Sequence, residues 1–215
     1  PMATPSRRRE RRGDIVELLR ARFMVGEVLD LSPLERDGMY LEGTGALVLD
    51  HVNCVAYLAR SGRAHEAALA RWCDAFGYAP IAFNTVDAVG APIYHTNVVL
   101  SIAERFAVVG LDSIPNPDER AEVETSLAAS GRELVRIDRD QVAEFAGNGL
   151  ELVGRDRAIF ALSTRARAAL RPAQVATIER TARISSVNLP AIERSGGSLR
   201  CTLAGIHLAP RITPT

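Results

Sequence analysis

The sequence predicts an α/β protein in which a strand–strand–helix–strand unit is repeated. Strand patterns and amphipathic helix patterns recur in that order three times, at a spacing of about 50 residues, which is typical of repeat architectures. Two of the helix patterns end at a glycine, Gly77 and Gly131, as helices commonly do. The composition, 47% hydrophobic and 24% charged over 215 residues, is that of a globular chain able to bury a sizeable core. A ring of ββαβ modules is the simplest architecture with this order.

Before the first full unit, the N-terminal region carries one helix pattern and one strand pattern. Apolar residues recur at helical spacing from Arg8 to Phe23, and the segment 26–31 (GEVLDL) has a strand pattern. The arginine cluster 7–12 (RRRERR) is interpreted as the first turn of this helix, since it runs directly into an amphipathic segment. Helix and strand resemble the end of a further unit, so we expect a single domain over 1–215 that lacks its first module.

The three full units account for the rest of the chain. The predicted strands are 37–43, 45–50, 53–59, 79–85, 97–104, 106–114, 132–137, 150–154, 158–163, 184–190 and a last one, SLRCTLAGIHL, at 198–208. The predicted helices of these units are 63–77, 117–131 and 171–182.

The composition excludes several classes of function. The sequence contains no lysine, so Schiff-base catalysis and a P-loop are both excluded. The net charge of zero gives no reason to expect nucleic acid or an anionic membrane as a partner. Three separated cysteines without a CxxC pair predict free thiols, no metal site and a reducing, cytoplasmic setting. No cofactor is expected.

Four polar residues stand where predicted strand pairs begin or end: Glu42, His95, Asn148 and Cys201. Equivalent strand ends in a ring of modules converge on its axis. A carboxylate, an imidazole, an amide and a thiol that meet there suit nucleophilic catalysis on a polar planar carbon, because the thiolate attacks while the imidazole transfers protons.

Four segments, LEGTGALVLD, YHTNVVLSI, AGNGLEL and GGSLRC, resemble in this order the signatures of the guanidine-modifying (pentein) superfamily. That superfamily contains arginine deiminases, dimethylarginine dimethylaminohydrolases and amidinotransferases. The chain in particular resembles its bacterial amidinotransferase-like branch, the citrulline-utilisation hydrolases. The resemblance covers essentially the whole chain and implies a five-module α/β propeller around a central active site. A complete member has about one more module at its N-terminus, with another substrate-binding residue.

The resemblance implies a role for each matching residue. Cys201 is expected to be the nucleophile and His95 the general acid/base, while Glu42 grips the nitrogens of a guanidino or ureido substrate such as arginine, citrulline or a methylarginine. Asn97 stands where members commonly have Asp, and an amide brings no negative charge to stabilise an imidazolium. Asn97 and Asn148 are expected to bind substrate. Attack forms a covalent thiouronium-type intermediate, which water or an amine resolves.

Two alternatives to this enzyme, and one alternative role for a single residue, are also considered. The chain could be a non-catalytic pentein scaffold or an inactive fragment that binds a macromolecular partner, although a scaffold needs none of Cys201, His95 and Glu42. A cysteine peptidase is disfavoured, because the surroundings of Cys201 match neither common nucleophile motif. Asn148 could merely provide a left-handed turn before Gly149. A homo-oligomer is a further expectation, since an incomplete ring leaves strand edges uncovered.

Overall fold

A computed structural model describes residues 1–211 and contains three small sheets of three strands each. The strands are β1 Leu47–Asp50, β2 Val55–Arg60, β3 Ala79–Asn84, β4 Leu100–Ile102, β5 Phe106–Val109, β6 Glu133–Arg136, β7 Leu150–Leu152, β8 Ala158–Ser163 and β9 Ala182–Val187. The helices are α1 Gly13–Arg22, α2 Gly43–Ala46, α3 Glu66–Phe76, α4 Pro117–Ala129, α5 Arg139–Ala143, α6 Thr164–Ala169, α7 Pro172–Glu179 and α8 Pro190–Arg194.

The three sheets have the same topology. In each, the first two strands pair antiparallel and the third pairs parallel with the second, as in β1–β2–β3. A parallel pair needs a crossover connection, and α3, α4 and the α6–α7 segment provide it in turn. The predicted fold of repeated ββαβ units is therefore confirmed.

Local sequence signals explain where the crossover helices begin and end. The Asn116 side chain accepts hydrogen bonds from the backbone amides of Asp118 and Glu119, which caps the start of α4. Helix α3 ends at Gly77, whose positive φ of 71° favours glycine.

One large apolar core extends through the three modules. Phe106 of β5 and Phe160 of β8 meet edge to face, with ring centroids 5.1 Å apart, and both side chains are fully buried. A smaller core lies between the first sheet and α3, around Leu58 and Leu69. The first sheet therefore packs against both cores, since Val48 belongs to the large one and Leu47 to the smaller one.

Two predicted strands, 97–104 and 106–114, are shorter than predicted, because Thr96–Val98 and Leu111–Ser113 form 3-10 turns. Four other predicted elements are absent or divided. Segment 26–31 forms no strand, and 37–43 makes only an isolated bridge between Leu41 and Ala64. The last predicted strand, 198–208, contains a 3-10 turn, Leu199–Thr202, instead. The N-terminal helix is divided into a 3-10 helix, Pro5–Glu10, and α1, because Arg12 between them is extended. Strand patterns form strands only beside a strand to pair with, and none adjoins these segments within the described part of the chain.

Helix α1 lies on the surface and buries none of its residues, so Ile15 and Leu18 remain about half exposed. The predicted homo-oligomer stays a prediction. None of the helices within residues 1–211 is both long enough and apolar enough to cross a membrane.

Candidate active site

Glu42 and His95 form a buried pair between the first and second modules. Glu42 directly precedes α2, and His95 directly precedes the 3-10 turn Thr96–Val98. Glu42 Oε2 lies 3.0 Å from His95 Nε2, and the two residues are only 6% and 8% exposed. The structure thus brings together two of the predicted site residues, with the carboxylate in position to orient the imidazole.

Burial lowers the pKa of His95 below its usual 6.5, since the site disfavours the imidazolium. The hydrogen bond and the negative charge of Glu42 oppose this effect without reversing it. The imidazole is therefore neutral near pH 7 and can accept a proton there.

Gly45 provides the space that the His95 ring occupies. A Cβ placed on Gly45 would lie 2.6 Å from His95 Nδ1 and 2.9 Å from Cε1, closer than van der Waals contact allows. The glycine of the GTG segment is therefore required by the imidazole and not only by a turn.

Replacing Gly45 with alanine is expected to displace the His95 ring and to lower kcat by about tenfold or more, since small misplacements of reacting groups are costly. Gly62→Ala is the matched control, because a Cβ at Gly62 meets no atom within 4 Å. Steady-state kinetics of both variants, with circular dichroism to verify folding, provide the measurement. Equal activities would contradict the assigned packing.

Cys201 lies in the 3-10 turn Leu199–Thr202 and is exposed to solvent. It does not end a strand as predicted. Gly196, with φ of 89°, turns the chain after α8 and directs it into the Cys201 turn, which explains a glycine before the thiol. Two side-chain amides contact the thiol: Asn97 Nδ2 lies 3.6 Å from Sγ, and Asn148 Nδ2 lies 3.4 Å from Sγ.

Asn148 is completely buried, and its side chain connects three segments. Its Nδ2 also donates to the Asn97 carbonyl at 2.8 Å, and its Oδ1 accepts from the Arg200 amide at 3.1 Å. Asn148 does not provide the left-handed turn considered above, because the non-glycine residue with a positive φ in this loop is Phe145. The side chain of Asn148 is therefore what matters, and it contacts the thiol.

The two groups of site residues are joined by one short segment. His95 and Asn97 are two residues apart, so their Cα atoms are at most about 7 Å from each other. Tyr94, next to His95, donates a hydrogen bond from its hydroxyl to the carbonyl of Gly196, five residues before Cys201. Segment 94–97 thus positions both the Glu42–His95 pair and the amide that touches the thiol.

A protein-family model, N,N dimethylarginine dimethylhydrolase, eukaryotic, matches residues 1–208. The chain belongs to this family. The resemblance to the guanidine-modifying superfamily is thereby confirmed. No curated protein sequence matches the chain.

Several solved structures share the fold of this chain. The apo structure of ArgZ, an arginine dihydrolase from cyanobacteria, aligns with a TM-score of 0.68 and 12% identity over 99% of this chain and 30% of that chain. The N-terminal domain of an ArgZ variant covalently bound to a reaction intermediate aligns with a TM-score of 0.61 and 12% identity, over 79% of this chain and 61% of that chain. A dimethylarginine dimethylaminohydrolase adduct aligns with a TM-score of 0.50 and 13% identity, over 93% and 68%. The chain therefore spans less than a third of the length of the ArgZ chain in the apo structure.

Two residues of this family member contact the site without any signal in the sequence. Arg200 is largely buried and donates to the carbonyls of Leu100 and Gly149, and burial lowers the pKa of its guanidinium to about 10. Arg7, from the cluster interpreted as a helix turn, donates to Glu42. Charged side chains in an arginine-rich chain give no sequence pattern that distinguishes buried partners from solvated ones.

Metal ligation is not supported by the geometry. Over residues 1–211, no group of three or more His, Cys, Asp or Glu side chains is arranged to hold a metal ion.

Proposed function

We propose that this chain is a cysteine-dependent hydrolase that acts on the guanidino or ureido carbon of a small arginine-type compound. The observation that carries the proposal is that segment 94–97 supplies both His95, which pairs with the buried Glu42 carboxylate, and Asn97, whose amide contacts the exposed thiol of Cys201, in a member of the dimethylarginine dimethylhydrolase family. The chain spans only part of its structural relatives, so activity, substrate and partners all belong to this proposal.

In the first step the thiol of Cys201 loses its proton to His95, and the sulfur attacks the central carbon of the substrate. A C–S bond forms and a tetrahedral centre results. Its collapse breaks one C–N bond, and the imidazolium of His95 returns the proton to the departing amine. The product of this step is a thiouronium-type intermediate on Cys201.

In the second step water attacks the same carbon. His95 accepts a proton from the water, a C–O bond forms, and the C–S bond breaks. The protons are restored to the sulfur and to the product, which leaves with a C=O in place of the lost amine. An amine in place of water would complete an amidinotransferase reaction instead.

Glu42 has a double role in this proposal. Its Oε2 accepts from His95 and from Arg7, and its Oε1 accepts from the Ala3 amide at 3.0 Å. A carboxylate offers about four acceptor sites, so one on Oε1 remains for an N–H of the substrate. The charge of Glu42 therefore both orients His95 and favours a cationic guanidinium.

The side-chain amides of Asn97 and Asn148 are proposed to act where Cys201 meets the substrate. Asn97 faces Sγ with both of its terminal atoms, Nδ2 at 3.6 Å and Oδ1 at 3.9 Å, and is therefore within reach of a carbon that Sγ attacks. Asn148 lies beneath the thiol and is fully buried, so its contribution to substrate binding acts through Cys201 and Asn97.

The test is a set of separate incubations with L-arginine, L-citrulline and dimethylarginine, in which released ammonia, released methylamines and the amino-acid product are quantified. The proposal predicts turnover of at least one compound with one amine released per product formed. A requirement for an added amine acceptor would indicate the transferase instead. Absence of both turnover and binding, in a folded sample, would favour the non-catalytic scaffold.

A further inference from the structure

Arg7 contacts the same carboxylate oxygen as the candidate general base. Its Nη1 lies 2.9 Å from Glu42 Oε2, which also lies 3.0 Å from His95 Nε2. The Arg7 guanidinium is held from its other edge by Glu10, with Nε–Oε1 at 2.9 Å and Nη2–Oε2 at 3.1 Å. Arg7, Glu42 and His95 thus form a hydrogen-bonded chain that begins at the surface and ends at the imidazole.

The carboxylate of Glu42 needs such a cation. Its side chain is 1% exposed, and a buried carboxylate is stable in its charged form only when it is paired and hydrogen-bonded. Arg7 is the arginine in contact with it, while His95 is neutral near pH 7. The guanidinium is planar and always charged, and the bidentate contact with Glu10 fixes its orientation.

The charges that act on His95 are those of Glu42, Arg63 and Arg7. Glu42 favours the imidazolium, and the two arginines disfavour it. The Arg63 guanidinium lies over the Tyr94 ring, 5.2 Å from its centroid. The Arg63 carbonyl accepts a hydrogen bond from the Glu42 backbone amide at 3.3 Å, but within the described residues the Arg63 guanidinium makes no hydrogen bond to the Glu42 carboxylate. Arg7 therefore acts on His95 in two ways, by its own charge and by balancing the charge of Glu42.

We infer that Arg7 is a positioning residue, which keeps the Glu42 carboxylate aimed at His95 and so keeps the imidazole correctly oriented for proton transfer. The effect on catalysis rests on the proposed function, whereas the effect on His95 does not. The rival interpretation is that Arg7 imitates a substrate guanidinium and blocks the Glu42 site. Both interpretations use the same contact and predict opposite kinetics.

The test compares Arg7→Gln, Arg7→Lys and Arg8→Gln. Arg8 is a matched control, because it is equally exposed (36% against 35%) and pairs with a largely buried carboxylate, Glu35, outside the site. The titration of the His95 C2 proton is followed by NMR, with His95→Asn used to assign its resonance among the four histidines. Steady-state kinetics are measured on the compound that the wild type turns over.

Positioning predicts that Arg7→Gln moves the His95 titration to higher pH, since a cation beside the pair is removed. It also predicts that kcat falls by about ten- to a hundredfold while KM stays within about threefold, because orientation and not binding is lost. Compared with Arg7→Gln, Arg7→Lys should return the His95 titration and kcat part of the way toward their wild-type values. Arg8→Gln should change neither the titration nor kcat. A lower KM with unchanged or higher kcat in Arg7→Gln would show that Arg7 blocks the site. An unmoved titration, or the same changes in Arg8→Gln, would also overturn the inference. If the wild type turns over nothing, the proposed function fails, while the titration still tests the role of Arg7.

Discussion

Cys201→Ala is expected to lower kcat/KM by at least about 10⁴-fold on whichever guanidino compound the protein turns over, the size of effect seen when a catalytic nucleophile is removed. The physical reason is that both steps of the proposed mechanism pass through a bond to this sulfur. Asn97 and Asn148, which contact the thiol, carry amides that are not nucleophiles.

Cys54→Ala is the control for this experiment. Cys54 is a second exposed free thiol, and it lies between β1 and β2, where its sulfur contacts the His51 carbonyl and none of the site residues. Its replacement should leave kcat/KM unchanged within about twofold, as expected for a surface thiol with no role. Wild-type turnover in Cys201→Ala would show that the sulfur is not the nucleophile and would remove the basis of the mechanism.

Arg132→Met is expected to destabilise the fold by about 3–5 kcal/mol, the cost of leaving one partner of a buried ion pair uncompensated. Arg132 donates to both carboxylate oxygens of Asp50, at 2.5 and 3.0 Å, and to the Ala103 carbonyl at 2.6 Å. Asp50 ends β1 and Arg132 precedes β6, so the pair connects the first module to the second. The loss is measured by urea unfolding at pH 7.

Arg180→Met is the matched control, since the Arg180–Glu133 pair is more than half exposed on both sides and should contribute less than about 1 kcal/mol. Equal destabilisation by the two variants would contradict the buried-pair account.

The pH dependence of Arg132→Met gives a second check. Burial alone would raise the pKa of Asp50, but the hydrogen bonds from Arg132 and Asn53 outweigh it and the pKa is lowered. In the wild type this stabilisation is present above the unfolded pKa of about 3.9 and is lost as the pH falls through the folded value. Without Arg132 the buried carboxyl takes up a proton at higher pH. The stability difference between variant and wild type should therefore narrow toward acid pH.

The repeated modules could be predicted from sequence because each of their strands and helices has its own periodic signal and a partner within the same unit. The segment 26–31 and the last segment, 198–208, have equally good strand patterns and form no strand. A strand pattern records which faces are apolar and not whether a neighbouring edge exists. The last segment is held by the hydrogen bonds of the Asn148 and Arg200 side chains, and not by the backbone hydrogen bonds of a strand pair.

The sequence singled out side chains that the structure brings into contact, but it did not predict which of them pair, and their catalytic and binding roles stay predictions. Glu42, His95, Asn97, Asn148 and Cys201 all lie in two contact groups that share segment 94–97. No sequence pattern indicated that Glu42 would form a hydrogen bond with His95, or that Asn148 would be fully buried in contact with the thiol. Those relations depend on how the modules pack, as does the contact of Arg7 with Glu42, which joins residues 35 positions apart.

The proposed mechanism depends above all on a covalent bond between Cys201 and the central carbon of the substrate. The most direct measurement is rapid acid quenching across the first turnover with excess enzyme, followed by intact mass and peptide mapping. We expect a transient adduct on Cys201 with the mass of the substrate less its departing amine. The adduct should rise before the product appears and decay as the product forms. Product formed in the first turnover while Cys201 stays unmodified at every quench time, or an adduct on Cys54 or Cys73 instead, would contradict the proposed mechanism.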